Sequence, residues 1–298
     1  MLQTLRDSGH GLKMGEFWYG SLAFADDVII LSTTISGLQD MVDICAKHAE
    51  ENDLVFSTHE DPEKSKTMCI AFKPRVKREK LPDVYLNGDV LPWKESVNHL
   101  GATLHADGTM DHDLEQKRGI FISTNYSLNQ KFDFCTPEIR VRMLRLYNMH
   151  FTNCRLWSFG SEAFDKLCRS YNKNLRILYG LPFNSHNWII EELSGGKHAR
   201  QQMMGRFVKF VDSLHKHTSP SVSTLLSKLQ SDKRSLVGSN LRVIHLETGI
   251  PVMPEITKPH EISDHRVYKF DEKESWKLQL LTSLLEILTS LEIYTDLA

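Results

Sequence analysis

A chain of 298 residues has room for about two ordinary domains, and its 41% hydrophobic and 25% charged residues are the mix of a soluble globular protein. With 16 Gly and 10 Pro it is neither collagen-like nor a linker, and its longest uncharged run, the 14 residues from Ile177 to Ile190, contains Pro182 and is too short to span a bilayer. The net charge of −2 conceals blocks: residues 1–63 sum to −9, residues 64–80 to +6, residues 131–180 to +5 and residues 271–298 to −4.

Two textures follow one another. Residues 16–104 predict strands, hairpins and one helix, and residues 110–248 predict helices, an α+β pattern with a separate helical part. The first strong feature is residues 20–31, where apolar β-prone runs flank Asp26-Asp27: a hairpin with acids at its tip. Its strands call for a neighbour, so a free edge and an incompletely covered apolar face are expected around Leu22, Phe24, Val28 and Ile30. A helix comes next, with Ser36 as N-cap and Gln39 completing a capping box. Leu38, Met41, Val42, Cys45 and Ala49 form its apolar stripe, and Asn52 ends it. Residues 54–57 and 67–72 read as strands around a charged loop, and residues 74–82 as a basic surface loop. Asn87-Gly88 marks a tight hairpin turn, and residues 97–104 read as a further strand.

In the helical part, a charged helix is expected from Asp111 to about Gln130. Thr136 and Pro137 open a second helix, with Ile139, Met143, Leu146 and Tyr147 on its inner side. Ser161 caps a third, with Phe164, Leu167, Cys168, Tyr171, Leu175 and Leu178 inside and Gly180 and Pro182 as the stop. Further helices are expected near 186–194, 197–217, 221–230 and 235–247. Pro251, Pro254 and Pro259 mark a linker, and a Leu-rich amphipathic helix is expected from about Glu274 to Ile293.

Adjacent acids at the tip of an apolar hairpin repel one another, and a tight turn would favour Asn-Gly there. Asp26-Asp27 reads either as a surface turn or as carboxylate ligands for a hard divalent cation. The basic blocks are either solvated faces or tracks for a phosphate backbone. Among the 14 histidines, His215 and His217 stand as HxH, but a helix points such a pair apart. The five cysteines include no CxxC, which argues against a zinc ribbon or a secreted disulfide framework. A reducing intracellular compartment, nucleus or cytoplasm, is expected, with no membrane partner.

Phe24-Ala25-Asp26-Asp27 resembles the [YF]-x-D-D palm motif of reverse transcriptases. The residues downstream keep that family's order: a helix, Phe56-Ser57, Lys64-Ser65-Lys66-Thr67, then Val97-Asn98-His99-Leu100-Gly101. Trp157, the run Tyr171-Asn172-Lys173-Asn174-Leu175-Arg176 and the run Leu181-Pro182-Phe183-Asn184-Ser185-His186 resemble the thumb and post-thumb region of LINE-type (non-LTR) retrotransposon reverse transcriptases. The resemblance extends over about residues 12–250. It implies a partial palm of antiparallel hairpins plus one helix at 1–108, an all-α thumb at 109–195 and a helical extension at 196–250, ahead of the linker and terminal helix at 251–298.

The activity so implied is RNA-directed DNA synthesis from dNTPs, with an RNA template and a DNA primer as partners. Two Mg2+ ions about 3.5–4 Å apart would activate the attacking 3′-hydroxyl and stabilise the leaving pyrophosphate. By resemblance, Asp26 is a metal ligand, Asp27 supports the same cluster, and Phe24 and Ala25 lie beneath the primer terminus. Lys64 matches the lysine that protonates departing pyrophosphate, and Leu100-Gly101 matches the primer grip, where Gly lets a backbone approach closely. Without the resemblance, Lys64 is a surface lysine and Leu100-Gly101 a plain turn. Arg140 and Lys173 are expected on one outer face of the thumb, in contact with nucleic acid. The fingers, the earlier palm strand with its own metal-binding Asp, and the helix that shapes the dNTP pocket have no counterpart in residues 1–19. The expectation is therefore a fragment inactive by itself, unless an N-terminal palm/fingers chain completes it. The rival expectations are a non-catalytic RNA- or DNA-binding remnant, a domesticated retroelement protein, or a decayed sequence without activity.

Overall fold

The computed structural model describes residues 1–72, 81–148, 151–194 and 198–249. It is mixed α and β, and among the described residues every strand precedes α3, after which the elements are helical. Among the described residues, one compact unit holds residues 1–97 and 105–108, and a second holds residues 98–104 and those from 109 onward. The expected linker and terminal helix over 251–298 lie outside the described residues, as does most of the basic loop. No helix among the described residues is long and apolar enough to cross a membrane.

The first unit runs α1 (Leu2–Asp7), β1 (Lys13–Met14), β2 (Phe17–Trp18), β3 (Ser21–Phe24), β4 (Asp27–Ile30), α2 (Ile35–Glu51), β5 (Cys69–Ile70), β6 (Val84–Leu86), β7 (Asp89–Leu91) and β8 (Trp93–Lys94). The strands pair two by two: β1 with β2, β3 with β4 and β6 with β7 are antiparallel, and β5 runs parallel to β8. Helix α2 buries Met41, Val42, Cys45 and Ala49, the stripe that its spacing predicts. Val42 joins Cys69, Val84, Leu86 and Leu91 in one cluster, and Met41 and Cys45 join Leu5 in another. Ile30 and Phe56 pack against both.

Three local expectations change here. Thr34, not Ser36, caps α2: its hydroxyl accepts the Gly37 N–H at 3.1 Å. The earlier start lets Ile35 pack against the core. Gln39 makes no capping box; its carboxamide donates to the Tyr85 carbonyl and accepts from the Tyr85 N–H, each at 2.8 Å. Residues 54–57 form no strand, because the Leu54 N–H closes the end of α2 on the Ala49 carbonyl and Asp53 turns the chain at φ +53°. Val55 is left 93% exposed. The Asn87-Gly88 hairpin forms as expected, with φ of +52° and +90°, the doubly left-handed pair of a type I′ turn.

Strands β9 (Ser96–His99) and β10 (Ala102–His105) pair around Leu100-Gly101, so the single strand expected over 97–104 is a hairpin. The helices are α3 (Asp111–Lys131), α4 (Pro137–Asn148), α5 (Glu162–Tyr179), α6 (Asn187–Ser194), α7 (Ala199–His215), α8 (Pro220–Ser231) and α9 (Leu236–Thr248), with a 3-10 turn at Thr152–Leu156. Helix α5 is central to this second unit. The Ser161 hydroxyl caps it on the Phe164 N–H, Gly180 ends it at φ +64°, and all six expected apolar residues are buried. Phe121 and Trp157 each pack against Phe151 with ring centroids 5.8 Å apart, and Phe121 lies 6.0 Å from Tyr171. Arg200 ties three helices together: it reaches Asp165 at 2.8 Å, holds Glu247 through two nitrogens, donates to the Phe159 carbonyl and lies over the Phe164 ring.

Helix α4 is rotated relative to expectation. Val141 and Leu144 face the interior, while Leu146 and Tyr147 are 55% and 60% exposed. Ile139 is exposed as well and Met143 is half-buried. Arg140 lies on the same side as Val141, and its guanidinium reaches the Leu178 carbonyl at the end of α5 at 3.1 Å.

Candidate functional site

The register Phe24↔Asp27 leaves Ala25-Asp26 as a two-residue loop at the tip of β3–β4. Ala25 adopts φ +53° there. A two-residue loop that is left-handed at its first position alone normally has Gly there, since a Cβ in that region costs about 1–2 kcal/mol. Ala25, Asp26 and Asp27 are exposed and Phe24 is half-buried. Among the described residues, no hydrogen bond or ion pair engages either carboxylate. The base of the hairpin is braced. Trp18 Nε1 donates to the His10 carbonyl at 2.6 Å, and its indole fills the space beside Gly20, where a Cβ would meet ring carbons at 2.4 Å. Any side chain at Gly20 would therefore displace the indole. The β3–β4 ladder gains no third strand among the described residues. Its apolar face is incompletely covered: Leu22 is buried, while Phe24, Val28 and Ile30 are only half-buried.

Lys64 lies in the loop after α2, is 67% exposed and stands 3.5 Å from Asp61. Such a surface pair contributes little to stability. Among the described residues, no hydrogen bond or ion pair joins Lys64 to Asp26 or Asp27. The neighbouring Lys94 pairs with Glu63.

The Leu100-Gly101 turn belongs to the second unit. Leu100 takes φ +46° and Gly101 φ +79°. The Gly101 carbonyl accepts from Asn153 Nδ2 at 2.7 Å and from Lys117 Nζ at 2.9 Å. Just past the turn, the Thr103 N–H donates to Asp113 Oδ1 at 3.1 Å, and the Thr103 hydroxyl sits between Asn98 Oδ1 and Gln116 Oε1, at 2.8 and 2.7 Å. Asp113 is wholly buried, and its other oxygen accepts from Trp157 Nε1 at 2.8 Å. The Trp157 carbonyl accepts from Asn240, whose Oδ1 accepts the Phe159 N–H. A line of buried polar groups thus runs from the turn to α9. Sequence reasoning missed Lys117, Asn153, Asp113 and Asn240. An Asp in the first turn of a helix looks like an ordinary surface residue, and nothing in the spacing shows that this one is enclosed.

Arg140 and Lys173 stand on different helices, α4 and α5. Arg140 is half-buried and bound to the Leu178 carbonyl, with its Nε enclosed and unpartnered. Lys173 is exposed on α5. Arg176 grips the segment 185–187, donating to the Ser185 carbonyl and to Asn187 Oδ1, while Phe183 and Trp188 stand 78% and 65% exposed. No protein-family model matches this chain, and no curated protein and no solved structure shows a significant match to it.

Proposed function

We propose that the chain carries the catalytic hairpin, primer-grip turn and thumb of a LINE-type (non-LTR) reverse transcriptase, whose reaction is metal-assisted nucleotidyl transfer onto a DNA primer along an RNA template. The observation that carries this reading is the β3–β4 tip, where a left-handed alanine coincides with two adjacent carboxylates that nothing engages among the described residues. Folding stability alone favours neither, and backbone strain of this kind collects at functional sites. The oxygen donors of Asp26 and Asp27 suit Mg2+, which when bound supplies charge stabilisation for the pyrophosphate that leaves. Asp26 and Asp27 would hold it, and Leu100-Gly101 would lie along the primer backbone.

Both acids sit on one hairpin, whereas two-metal transfer draws ligands from more than one strand. Mg2+ also binds two carboxylates weakly without substrate phosphates. The chain alone is therefore expected to bind an RNA–DNA hybrid without extending its primer. Hybrid binding at low salt, measured by fluorescence anisotropy, supports the reading; failure to bind any RNA or hybrid there overturns it. Primer extension in Mg2+ tests the second half. Incorporation that disappears in Asp26→Asn would mean that the missing ligand is present after all.

A non-catalytic RNA- or DNA-binding protein derived from such an element is the second reading. Phe183 and Trp188, exposed on a segment held by Arg176, favour it, since exposed aromatics are stacking platforms for single strands. It predicts binding that is indifferent to Asp26→Asn and to Mg2+.

A further inference from the structure

We propose that Asn153 and Lys117 are positioning residues that hold the Leu100-Gly101 turn in one left-handed conformation, so that the turn is a rigid outgrowth of the helical core. Its identification with a primer contact rests on the function proposed above; the rigidity does not.

A leucine at φ +46° is uncommon and persists only where its surroundings over-determine it. Here they do. The Gly101 carbonyl has two lone pairs, and both acceptor positions are taken, one by a buried amide and one by an ammonium. The ammonium bond is charge-assisted and the stronger kind. The two donors come from separate elements, Lys117 from the second turn of α3 and Asn153 from the 3-10 turn, so neither can release the carbonyl without leaving the other in place. Two residues further, Asp113 takes the Thr103 N–H and fixes the start of β10. Asp113 is in turn held by Trp157, which has no exposed surface.

The outer side of the turn is left open. A Cβ built on Gly101 meets nothing within 4 Å, and Leu100 is exposed. The turn is therefore fastened on its inner side and clear on the other, the arrangement of a fixed backbone against which an extended ligand can lie. Placing it by core contacts lowers the ordering cost at the moment of binding.

Amide hydrogen exchange on the full chain tests this. Asn153→Ala and Lys117→Met should each speed exchange over residues 98–104 roughly tenfold, the effect of removing one hydrogen bond. Exchange in α9 should stay unchanged, and Lys117→Arg should retain most of the protection. Unchanged exchange over 98–104 in both variants overturns the proposal, as does an equal rise throughout the helical unit in Lys117→Met. Should Asn153→Ala fail to fold, the half-exposed Lys117 decides the matter. Hybrid affinity is read on the same variants. A loosened turn with undiminished affinity would leave the positioning role standing and remove the turn from the primer contact.

Discussion

At position 25 a single methyl group sets the local strain. Replacing it with hydrogen relieves the left-handed backbone but gives the unfolded chain more freedom, and the two effects nearly cancel. Ala25→Gly should therefore leave stability within about 1 kcal/mol of the parent, while the β-branched Ala25→Val should lower it by about 1–3 kcal/mol in urea unfolding. Equal stability for all three would mean that the tip relaxes out of φ +53°. The buried thiols report on a different property. Burial pushes Cys45, Cys69 and Cys168 up to about 11 from an ordinary 9, with Arg200 pulling weakly the other way at Cys168. Between these values the folded state keeps protons that the unfolded state has lost, so stability falls as pH rises through the window. The stability difference between the parent and Cys69→Ala should shrink between pH 8 and 11 by on the order of 1–2 kcal/mol. A difference that holds constant or widens would contradict the burial.

At the scale of single elements, α5 was the most readable helix, because cap, stripe and stop agree. Ser161→Ala should cost about 1 kcal/mol by thermal melting; no change would mean that water replaces the hydroxyl. Gly238 in α9 offers a harsher test. A Cβ there would stand 2.3 Å from the Asp232 carbonyl, which belongs to the backbone that caps α8 and cannot swing aside. Gly238→Ala should destabilise by about 1–3 kcal/mol despite the better helix propensity of alanine. Helix α4 shows where pattern reading fails. It carries apolar residues on two sides, and periodicity cannot say which side a neighbour will cover. The side that is covered holds Val141, Leu144 and Arg140, the last bound to a carbonyl 38 residues away, a contact that no local window contains. The Leu100-Gly101 hairpin failed differently. Gly101 was visible as a turn residue, but a leucine at positive φ contradicts every local preference and is held there by α3 and the 3-10 turn. Asp26 and Asp27 were legible because acids at a hairpin tip are chemically odd in any fold.

At the scale of the molecule, several basic residues of one cationic block are engaged within the protein. In the block 131–180, which sums to +5, Arg140 is bound to a carbonyl, Arg155 lies over the Phe210 ring, Arg176 grips Ser185, and Lys166 pairs with Glu115 and Glu162. Lys131, Arg142, Arg169 and Lys173 remain exposed. Nucleic-acid binding through this block should accordingly have a log–log salt slope of about −3 to −4. Converting these four residues to Gln should remove most of it, by about 1 for each phosphate no longer neutralised. A slope that survives the fourfold substitution would place the phosphate-binding residues elsewhere.

The Gln39 carboxamide carries a consequence for how this molecule behaves in a crowd. By offering one N–H and one C=O to Tyr85, it impersonates a peptide group and occupies the outward hydrogen-bonding site of β6 without any strand being there. Among the described residues, no third strand pairs with the hairpin that bears Asp26 and Asp27. A foreign strand is thereby turned away from β6, and one that joined the other hairpin instead would shift the two acids along with it.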